Sequence, residues 1–211
     1  MKFWKFIIVT KIIKYAVLAG FFFFSGDSYA NPNKDVQKVE QYLNGLTTAR
    51  AKFIQIDPDG VRTSGTFYLN RPGKLRFEYD PPVNDFVVAD GAFIYFYDAA
   101  VQEQSHAPIG QTLADFILRP NLNLGGDIIV TEVKRAAGLL QLTLVQAADP
   151  EAGSISLGFD ESPLMLKKWR VVDPQGAITE ISLADMQIDI SLKDDLFYYR
   201  DPSRDVQRLN R

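Results

Sequence analysis

A period of two dominates this sequence from residue 51 to residue 187. Apolar and polar side chains alternate in about eleven short runs, a pattern typical of β-strands because successive side chains of a strand point to opposite faces. Asp-Gly and Asp-Pro-x-Gly sequences between several runs are typical of hairpin turns and indicate an antiparallel sheet. So many strands must curl into a barrel, a half-barrel or a sandwich to hide their apolar face. The runs lie near residues 51–56, 61–69, 74–79, 84–89, 92–98, 101–105, 127–135, 138–147, 153–160, 164–173 and 177–187.

Helical periodicity replaces this alternation in two segments, and both are amphipathic enough to cover a sheet face. The first lies before residue 51 and has an apolar face made of Val36, Val39, Leu43 and Leu46. The second is a short helix between the sixth and seventh runs, whose apolar residues are Leu113, Phe116 and Ile117. It would begin at a capping box formed by Thr112 and Asp115 and stop before Pro120. The sequence therefore predicts a mainly β fold covered by short helices.

Residues 1–30 have the layout of a secretory signal peptide. Four lysines precede an apolar run from Tyr15 to Phe24, and the segment ends in the small-x-small sequence Ser28-Tyr29-Ala30. An uncleaved membrane anchor is the alternative, but the apolar run is shorter than the roughly 20 residues that a spanning helix needs. We therefore expect cleavage after Ala30, which leaves residues 31–211 as a single exported domain.

Removal of that segment makes the protein acidic. The whole chain has 23 basic and 26 acidic residues, and residues 31–211 keep 19 and 25 of them. No cluster of Lys and Arg remains, so we expect no binding to nucleic acid.

The chain contains no Cys and a single His, His106. This excludes disulfides, thiolate metal sites, cysteine nucleophiles and metal sites with two histidines. G-x-S-x-G, H-E-x-x-H, P-loop and G-x-G-x-x-G motifs are also missing. The acidic pairs Asp160-Glu161 and Asp194-Asp195 leave glycoside hydrolysis as an alternative, because that chemistry uses two carboxylates. Chance pairs are expected among 25 acids, and we predict a protein that is not an enzyme and holds no cofactor.

The alternation places large apolar side chains on one face of the sheet. We assign to this face residues from the third, fifth and ninth runs and one from the tenth, namely Leu75, Phe77, Tyr79, Phe93, Tyr95, Tyr97, Ile155, Leu157, Phe159 and Trp169. Such a face is typical of a packed barrel or sandwich core. It is equally typical of a ligand cavity under a helical cover. Alternation alone does not separate the two interpretations.

Arg71 begins the Arg71-Pro72-Gly73 turn between the second and third runs, at the rim where the sheet would meet the helices. An arginine in a turn is commonly one partner of a solvated ion pair that contributes little stability. Its guanidinium also presents five N–H donors in a fixed fork, so it could donate to several carbonyls of a helical lid and hold that lid shut.

Several motifs follow one another in order along residues 53–202: Phe53-x-Gln55, the block Gly65-Thr-Phe-Tyr-Leu-Asn-Arg71-Pro72-Gly73-Lys-Leu-Arg76-Phe77-Glu-Tyr79-Asp-Pro81-Pro82, Val88-Ala-Asp90-Gly91, Tyr97-Asp98, Leu166-x-x-Trp169-x-Val171-x-Asp173-x-x-Gly176, Leu196-Phe197 and Asp201-Pro202. Together they resemble the periplasmic outer-membrane lipoprotein carrier family, LolA, over essentially all of residues 31–211. The Arg-Pro-Gly block is the most specific of them.

The resemblance implies an incomplete antiparallel β-barrel of about eleven strands with a helical lid. It implies a soluble periplasmic carrier that takes acylated lipoproteins from an inner-membrane ABC transporter, shields their acyl chains in an apolar cavity and passes them to an outer-membrane receptor. By the same resemblance Arg71 would latch the lid, and Leu75 would take part in lipoprotein transfer. The receptor of this pathway is itself a lipoprotein, so the absence of Cys favours the carrier. We expect a monomer, and a periplasmic sensor or a binder of another apolar ligand remains the alternative.

Overall fold

The computed structural model describes residues 32–202, so the signal peptide and its cleavage site lie outside the described residues. In this part of the chain α1 spans Pro32–Gly45 and is followed by β1 to β6 at Thr48–Ile56, Arg62–Asn70, Lys74–Tyr79, Phe86–Asp90, Phe93–Asp98 and Glu103–Pro108. A 3-10 helix at Ile109–Gln111 leads into the short α2, Asp115–Leu118. Then come β7 to β11 at Ile128–Ala136, Leu139–Gln146, Ser154–Glu161, Leu164–Val172 and Ile178–Ile188. Two further 3-10 helices lie at Pro150–Ala152 and Asp194–Phe197.

The strands of residues 32–202 form one 11-stranded sheet in the order β6-β5-β4-β3-β2-β1-β11-β10-β9-β8-β7. The strand pairs are antiparallel, and strands that follow one another along the chain pair throughout, except that β6 does not pair with β7. The sheet closes instead through β1 and β11, which brings the first and last strands together in its middle. The open edges β6 and β7 are separated by the insertion that carries α2. The predicted mainly β fold, an incomplete antiparallel barrel with a helical cover, is therefore confirmed.

One face of the sheet carries the hydrophobic core and is called the inner face below. Cross-strand partners share a face, so the register assigns each side chain to a face. Ile155, Leu157 and Phe159 lie on the inner face and are fully buried, as their alternation predicts. The charged side chains that alternate with Leu75 and Phe77 in β3 lie on the opposite, outer face.

α1 covers the inner face over β7 to β10. Val39 and Leu43 are completely buried, and Leu46, directly after the helix, is buried as well, while Val36 packs at the margin of the core. The ring of Tyr42 meets Phe159 edge-on with 5.7 Å between centroids, and its hydroxyl accepts a hydrogen bond of 3.1 Å from the N–H of Leu166. The predicted apolar face of the first helix is confirmed.

The lid segment, defined as residues 109–118, covers the remaining inner face and contains α2. The predicted capping box is wrong. Ala114 occupies the N-cap of α2 without a side-chain hydrogen bond, and the hydroxyl of Thr112 donates instead to the carbonyl of Ile109 at 2.8 Å. The reason is that a 3-10 turn precedes α2, and the Thr112 side chain satisfies a carbonyl of that turn.

Candidate functional site

An apolar cavity of about 120 Å³ lies between the lid segment and the inner face. Leu113, Ala114 and Ile117 form its roof. Within the described residues its walls come from β2 to β6 and from β9 to β11, whereas α1, β7 and β8 contribute no lining residue. The sequence left a packed core and a ligand cavity as alternatives, and the structure holds both: a filled core under α1 and a cavity under the lid segment.

Five of the residues assigned from the sequence to the apolar face line the cavity, namely Leu75, Phe77, Tyr95, Ile155 and Trp169. Leu75 and Trp169 are each 4% exposed. The Trp169 ring packs edge-on against Phe67, with 5.6 Å between centroids, and against Phe77, with 6.1 Å. Edge-to-face packing of this kind favours a fixed arrangement of the rings.

The assignment of β5 is wrong by one residue. Val87 pairs with Phe96 and Ala89 with Ile94, so Ile94 and Phe96 face the cavity. The rings of Phe93, Tyr95 and Tyr97 consequently lie on the outer face, although Tyr95 also borders the cavity. A one-residue change of register moves every side chain of a strand to the other face.

The C-terminal segment covers Tyr95 on the outer face of β5, which explains why this aromatic residue can face away from the core, whereas Phe93 is exposed. Tyr199 stacks on Tyr95 with 4.8 Å between ring centroids, and Phe197 is completely buried. Phe86 of β4 stacks on Tyr97 at 5.2 Å. The aromatic run Phe197-Tyr198-Tyr199 is the feature of the sequence that could have indicated a segment packed on this second apolar face.

Tyr79 lies on the inner face but does not line the cavity. Its ring meets Phe53 edge-on at 5.2 Å, and its hydroxyl donates to Oε1 of Gln55 at 2.8 Å. Burial raises the pKa of Tyr79, so the hydroxyl remains a protonated donor. Gln55 in turn donates to Oδ1 of Asp57 at 2.7 Å, which gives this buried polar group its partners.

Sequence reasoning missed several wall residues: Phe67, Val87, Ile94, Phe96, Val171 and Ile181. They share faces with Leu75, Phe77 and Trp169 through the strand register. Pairing of the β4 run with both neighbouring runs could have found Val87, since a run that is apolar on both faces must be buried on both.

Arg71 lies at the rim of the cavity, in the turn between β2 and β3. Its Nη2 donates to the carbonyl of Arg119, which directly follows α2, at 2.6 Å. Its Nη1 donates to the carbonyl of Leu46, which directly follows α1, at 3.3 Å. Nε is buried and has no acceptor in the described part of the chain. The guanidinium therefore joins the ends of both covering helices.

Burial lowers the pKa of Arg71, as expected for a cation that loses water. The ordinary pKa of a guanidinium is so high that Arg71 stays charged. Hydrogen bonds from a charged donor are stronger than neutral ones, and these two replace part of the hydration that the cation has lost.

Gly73 in the same turn allows the lid to approach the sheet closely. Its N–H donates to the carbonyl of Leu118, the last residue of α2, at 2.9 Å. Gly73 has a φ of +81°, and a Cβ there would lie 2.8 Å from the Cα of Gly91 in the neighbouring turn. Both the left-handed conformation and the contact require glycine at this position.

The predicted lid residues fall into two groups. Leu113 and Ile117 line the cavity, whereas Phe116 is completely buried beside it. The residues assigned to the first helix, Val36, Val39, Leu43 and Leu46, pack into the core and do not border the cavity. The first helix thus covers the filled core, and the lid segment covers the cavity.

Three of the four carboxylates considered for glycoside hydrolysis make separate ion pairs. Asp160 lies 3.3 Å from Nζ of Lys167, and Glu161 lies 2.8 Å from Arg135. Asp194 lies 3.1 Å from Nζ of Lys74. His106 lies on the outer face of β6, where its ring packs against Tyr95 at 5.7 Å.

Residues 32–202 contain no cluster of three or more His, Cys, Asp or Glu side chains that could hold a metal ion. In the same residues no helix combines the length and the apolar character needed to cross a membrane.

Fold and site together define a class: a curved antiparallel sheet whose apolar cavity is covered by a helix that an arginine holds in place. The sequence profile of the family described as outer membrane lipoprotein carrier protein LolA matches residues 44–200. The chain therefore belongs to the LolA family.

Relatives of this chain are distant but span most of its length. An outer-membrane lipoprotein carrier protein of Methylococcus capsulatus is 25% identical over 79% of this chain and 83% of its own. A protein of the same name from Legionella pneumophila is 26% identical over 85% and 91%. The crystal structure of a LolA superfamily protein from Nitrosomonas europaea has a TM-score of 0.44 at 11% identity, covering 77% of this chain and 97% of its own.

Proposed function

We propose that this protein carries acylated lipoproteins through the periplasm. It would be exported by its signal peptide, cleaved after Ala30, and act as a soluble monomer that takes lipoproteins from an inner-membrane ABC transporter and delivers them to an outer-membrane receptor. The observation that carries the proposal is the apolar cavity beneath a lid that Arg71 holds by hydrogen bonds to carbonyls. Membership of the LolA family and the names of the curated relatives support it.

The cavity volume indicates that cargo enters only after the lid has moved. At about 120 Å³ the cavity is smaller than an engineered cavity of about 150 Å³ that accommodates benzene. The two or three acyl chains of a lipoprotein are far larger than one benzene ring. In this proposal the lid is closed in the described conformation, and the lid segment is the part that must be displaced.

The energies of burial and opening give a carrier that can also release its cargo. Each buried methylene contributes about 0.8 kcal/mol, so ten of them contribute roughly 8 kcal/mol. Breaking the two hydrogen bonds of Arg71 costs about 1.5–3 kcal/mol each where the donor is charged. This cost, together with that of the Gly73–Leu118 hydrogen bond and of exposing lid side chains such as Phe116, offsets part of the gain and lowers the net affinity enough to help delivery.

In this proposal the wall of the loaded cavity includes Leu75, Phe77 and Trp169, and the displaced roof includes Leu113 and Ile117. Leu75 would contact the acyl chains directly and contribute to transfer. Phe93 and Tyr97 are not part of the proposed cavity, because their rings lie on the outer face.

Release of lipoprotein from vesicles tests the carrier function. Inner-membrane vesicles that contain the ABC transporter and a newly acylated lipoprotein are incubated with ATP and the purified protein. We expect the lipoprotein to appear in the supernatant in a complex with this protein, and none to appear when the protein is omitted. If it stays in the vesicles while the protein still binds free fatty acid, the protein is a binder of another apolar ligand and the proposal is wrong.

Trp169 allows the location of the cargo to be tested separately. The sequence has two tryptophans, and cleavage after Ala30 removes Trp4, so Trp169 is the only tryptophan of the exported protein. A triacylated lipopeptide with bromine on its acyl chains should quench Trp169 fluorescence if the chains occupy the cavity. The same lipopeptide without bromine is the control, and binding without any quenching would place the acyl chains elsewhere.

A further inference from the structure

Arg119 occupies a junction between the lid segment and the loop that follows it. It ends α2, and its guanidinium donates from Nε to Oδ2 of Asp115 at 3.0 Å and from Nη1 to Oδ2 of Asp127 at 2.6 Å. Nη2 makes a further hydrogen bond to Asp115. The side chains of Arg119 and Asp115 are only 16% and 14% exposed, whereas that of Asp127 is 69% exposed. One arginine therefore links the first residue of α2 to the start of β7.

The same residue supplies the main acceptor of the latch. Its carbonyl accepts the shorter of the two Arg71 hydrogen bonds, 2.6 Å against 3.3 Å at Leu46. α2 has four residues, and a helix this short has little stability of its own. Its last carbonyls have no partner within the helix. The position of the Arg119 carbonyl therefore depends on what holds Arg119.

The chain directly after Arg119 is attached to α1. The Asn44 side chain pairs with both backbone groups of Leu122: Nδ2 donates to its carbonyl at 2.9 Å, and Oδ1 accepts from its N–H at 2.8 Å. Oε2 of Glu40 accepts from the N–H of Leu124 at 2.6 Å, and the side chains of Leu122 and Leu124 are buried. Residues 122–124 are thus fixed to the helix that does not border the cavity.

We infer that Arg119 is a positioning residue of the latch: its ion pairs with Asp115 and Asp127 hold its carbonyl against Arg71, and the lid opens by a hinge between Arg119 and Leu122. The lid segment moves as a unit, while residues 122–124 stay on α1. The inference rests on the proposed function only for what the opening admits, because the motion itself can be measured without cargo.

Distances between spin labels test the hinge. The chain has no Cys, so introduced cysteines are the only labelling sites. Gln111 is exposed in the lid segment, Asn123 is exposed in the docked loop, and Ser182 is exposed on the outer face of β11. One doubly labelled protein carries Gln111→Cys with Ser182→Cys, and the other carries Asn123→Cys with Ser182→Cys. Arg71→Leu should lengthen the first distance and leave the second unchanged.

Asp127→Asn tests the role of Arg119. Its backbone carbonyl, which accepts from the N–H of Ala147 at 2.9 Å, is not altered by this substitution. The ratio of molecules with the open distance to molecules with the closed distance should rise about two- to fivefold, as expected for loss of an exposed ion pair. In the Arg71→Leu background Asp127→Asn should add nothing, because the carbonyl then has no donor to meet. Added salt should open the wild type more than Asp127→Asn, in which only the less exposed ion pair between Arg119 and Asp115 remains.

The matched control is Asp35→Asn. Arg135 bridges two carboxylates, Asp35 and Glu161, as Arg119 does, but it lies at the end of β7 under α1. This variant should leave both distances unchanged.

Two results would overturn the inference: wild-type distances in Asp127→Asn while Arg71→Leu opens the lid, or additive effects of the two substitutions. A change in the distance from Asn123 would also contradict the hinge. If the distances change as expected but no variant takes up triacylated lipopeptide, the carrier function is wrong and the hinge stands. If lipopeptide is taken up while the distances do not respond, the hinge is wrong and the carrier function stands.

Discussion

Two helices cover the inner face of one sheet, and they do so in different ways. The anchored half consists of α1 and the strands β7 to β10 beneath it, and here Val39 and Leu43 fill the space completely. The gated half consists of the lid segment and the cavity walls beneath it in β2 to β6 and β9 to β11, so that β9 and β10 contribute to both halves. Here Leu113 and Ile117 cover a cavity. α1 has 14 residues and α2 has four.

If the lid segment is the removable cover of the proposed mechanism, the comparison indicates what such a cover needs. α1 is held by side chains that no single event can release, since burying each large apolar side chain contributes about 1.5–3 kcal/mol. The lid segment also buries Phe116 and Leu118, but it is shorter, and its end is attached by hydrogen bonds to two backbone carbonyls, from Arg71 and Gly73 to Arg119 and Leu118. Hydrogen bonds of this kind are directional and break together when the segment moves away.

The largest difference between the halves should appear when one leucine in each is shortened. Leu43→Ala should lower the free energy of unfolding by about 2–5 kcal/mol, because it leaves a new void in a filled core. Leu113→Ala should cost about half of that or less, because its side chain already borders a cavity. Urea denaturation with a check on the slope measures both. Equal costs would mean that the gated half is packed as tightly as the anchored half.

The next effect concerns the latch. Arg71→Leu removes two hydrogen bonds from a charged donor, each contributing about 1.5–3 kcal/mol, so the lid should open more readily. Since the cost of opening no longer opposes binding, a triacylated lipopeptide should dissociate more slowly, by on the order of tenfold or more. The recovery of Trp169 fluorescence after removal of a brominated lipopeptide measures this rate.

Arg71→Lys is the control for charge, because an ammonium group does not reproduce the planar fork of a guanidinium. The rate of lipopeptide dissociation from Arg71→Lys should lie between those of the wild type and Arg71→Leu. If loading and release in Arg71→Leu both match the wild type, Arg71 is not a latch.

The sequence predicted the elements of both halves because each has one clear period. The helical period of Val36, Val39 and Leu43 and the strand period of Leu75 and Phe77 each have polar residues on the other face. Where one face is apolar and the other polar, the pattern determines which side is buried.

The face of β5 could not be predicted in this way. Phe93, Tyr95 and Tyr97 form one apolar row and Ile94 and Phe96 form another, so the period does not choose between them. The choice depends on pairing with β4 and on Tyr199, which covers Tyr95 from about a hundred positions along the chain. The acceptors of Arg71 also depend on contacts that are distant in sequence. A donor at the rim was predicted, but its acceptors on Leu46 and Arg119 lie 25 and 48 positions away, and only packing brings them to Arg71.

A smaller effect should separate the loop from the lid. Asn44→Ala removes both hydrogen bonds to Leu122 and should cost about 1–2 kcal/mol. Hydrogen exchange should accelerate at the Leu122 amide by about tenfold, while the exchange of β8 amides in the sheet stays at the wild-type rate. Asn44→Asp keeps the acceptor of the Leu122 N–H and should show a smaller acceleration at that amide. Unchanged exchange at Leu122 in both variants would mean that α1 does not hold the loop.

The smallest effect compares the two arginines that bridge carboxylates. The Arg119 guanidinium lowers the pKa of Asp127, and the Arg135 guanidinium lowers the pKa of Glu161. A carboxyl whose pKa is lowered by folding adds stability above its unfolded pKa, about 4, and loses it as the pH falls through the folded value. Asp127→Asn and Glu161→Gln should therefore each reduce stability by no more than about 1 kcal/mol at pH 7, and by less once the pH falls below the unfolded pKa.

The Arg119–Asp127 and Arg135–Glu161 ion pairs should nevertheless differ in their effect on opening of the lid. Acidification from pH 5 to pH 3 should open the lid of the wild type, measured between labels at Gln111 and Ser182, because Asp127 then ceases to hold Arg119. Glu161→Gln should open over the same pH range as the wild type, since its arginine is attached to α1 through Asp35 and not to the latch. Asp127→Asn should open further by a smaller amount than the wild type on acidification, because Arg119 then has only Asp115 as its carboxylate partner. If Glu161→Gln abolishes the response and Asp127→Asn retains it, the anchored half controls the lid and the comparison between the halves must be reversed.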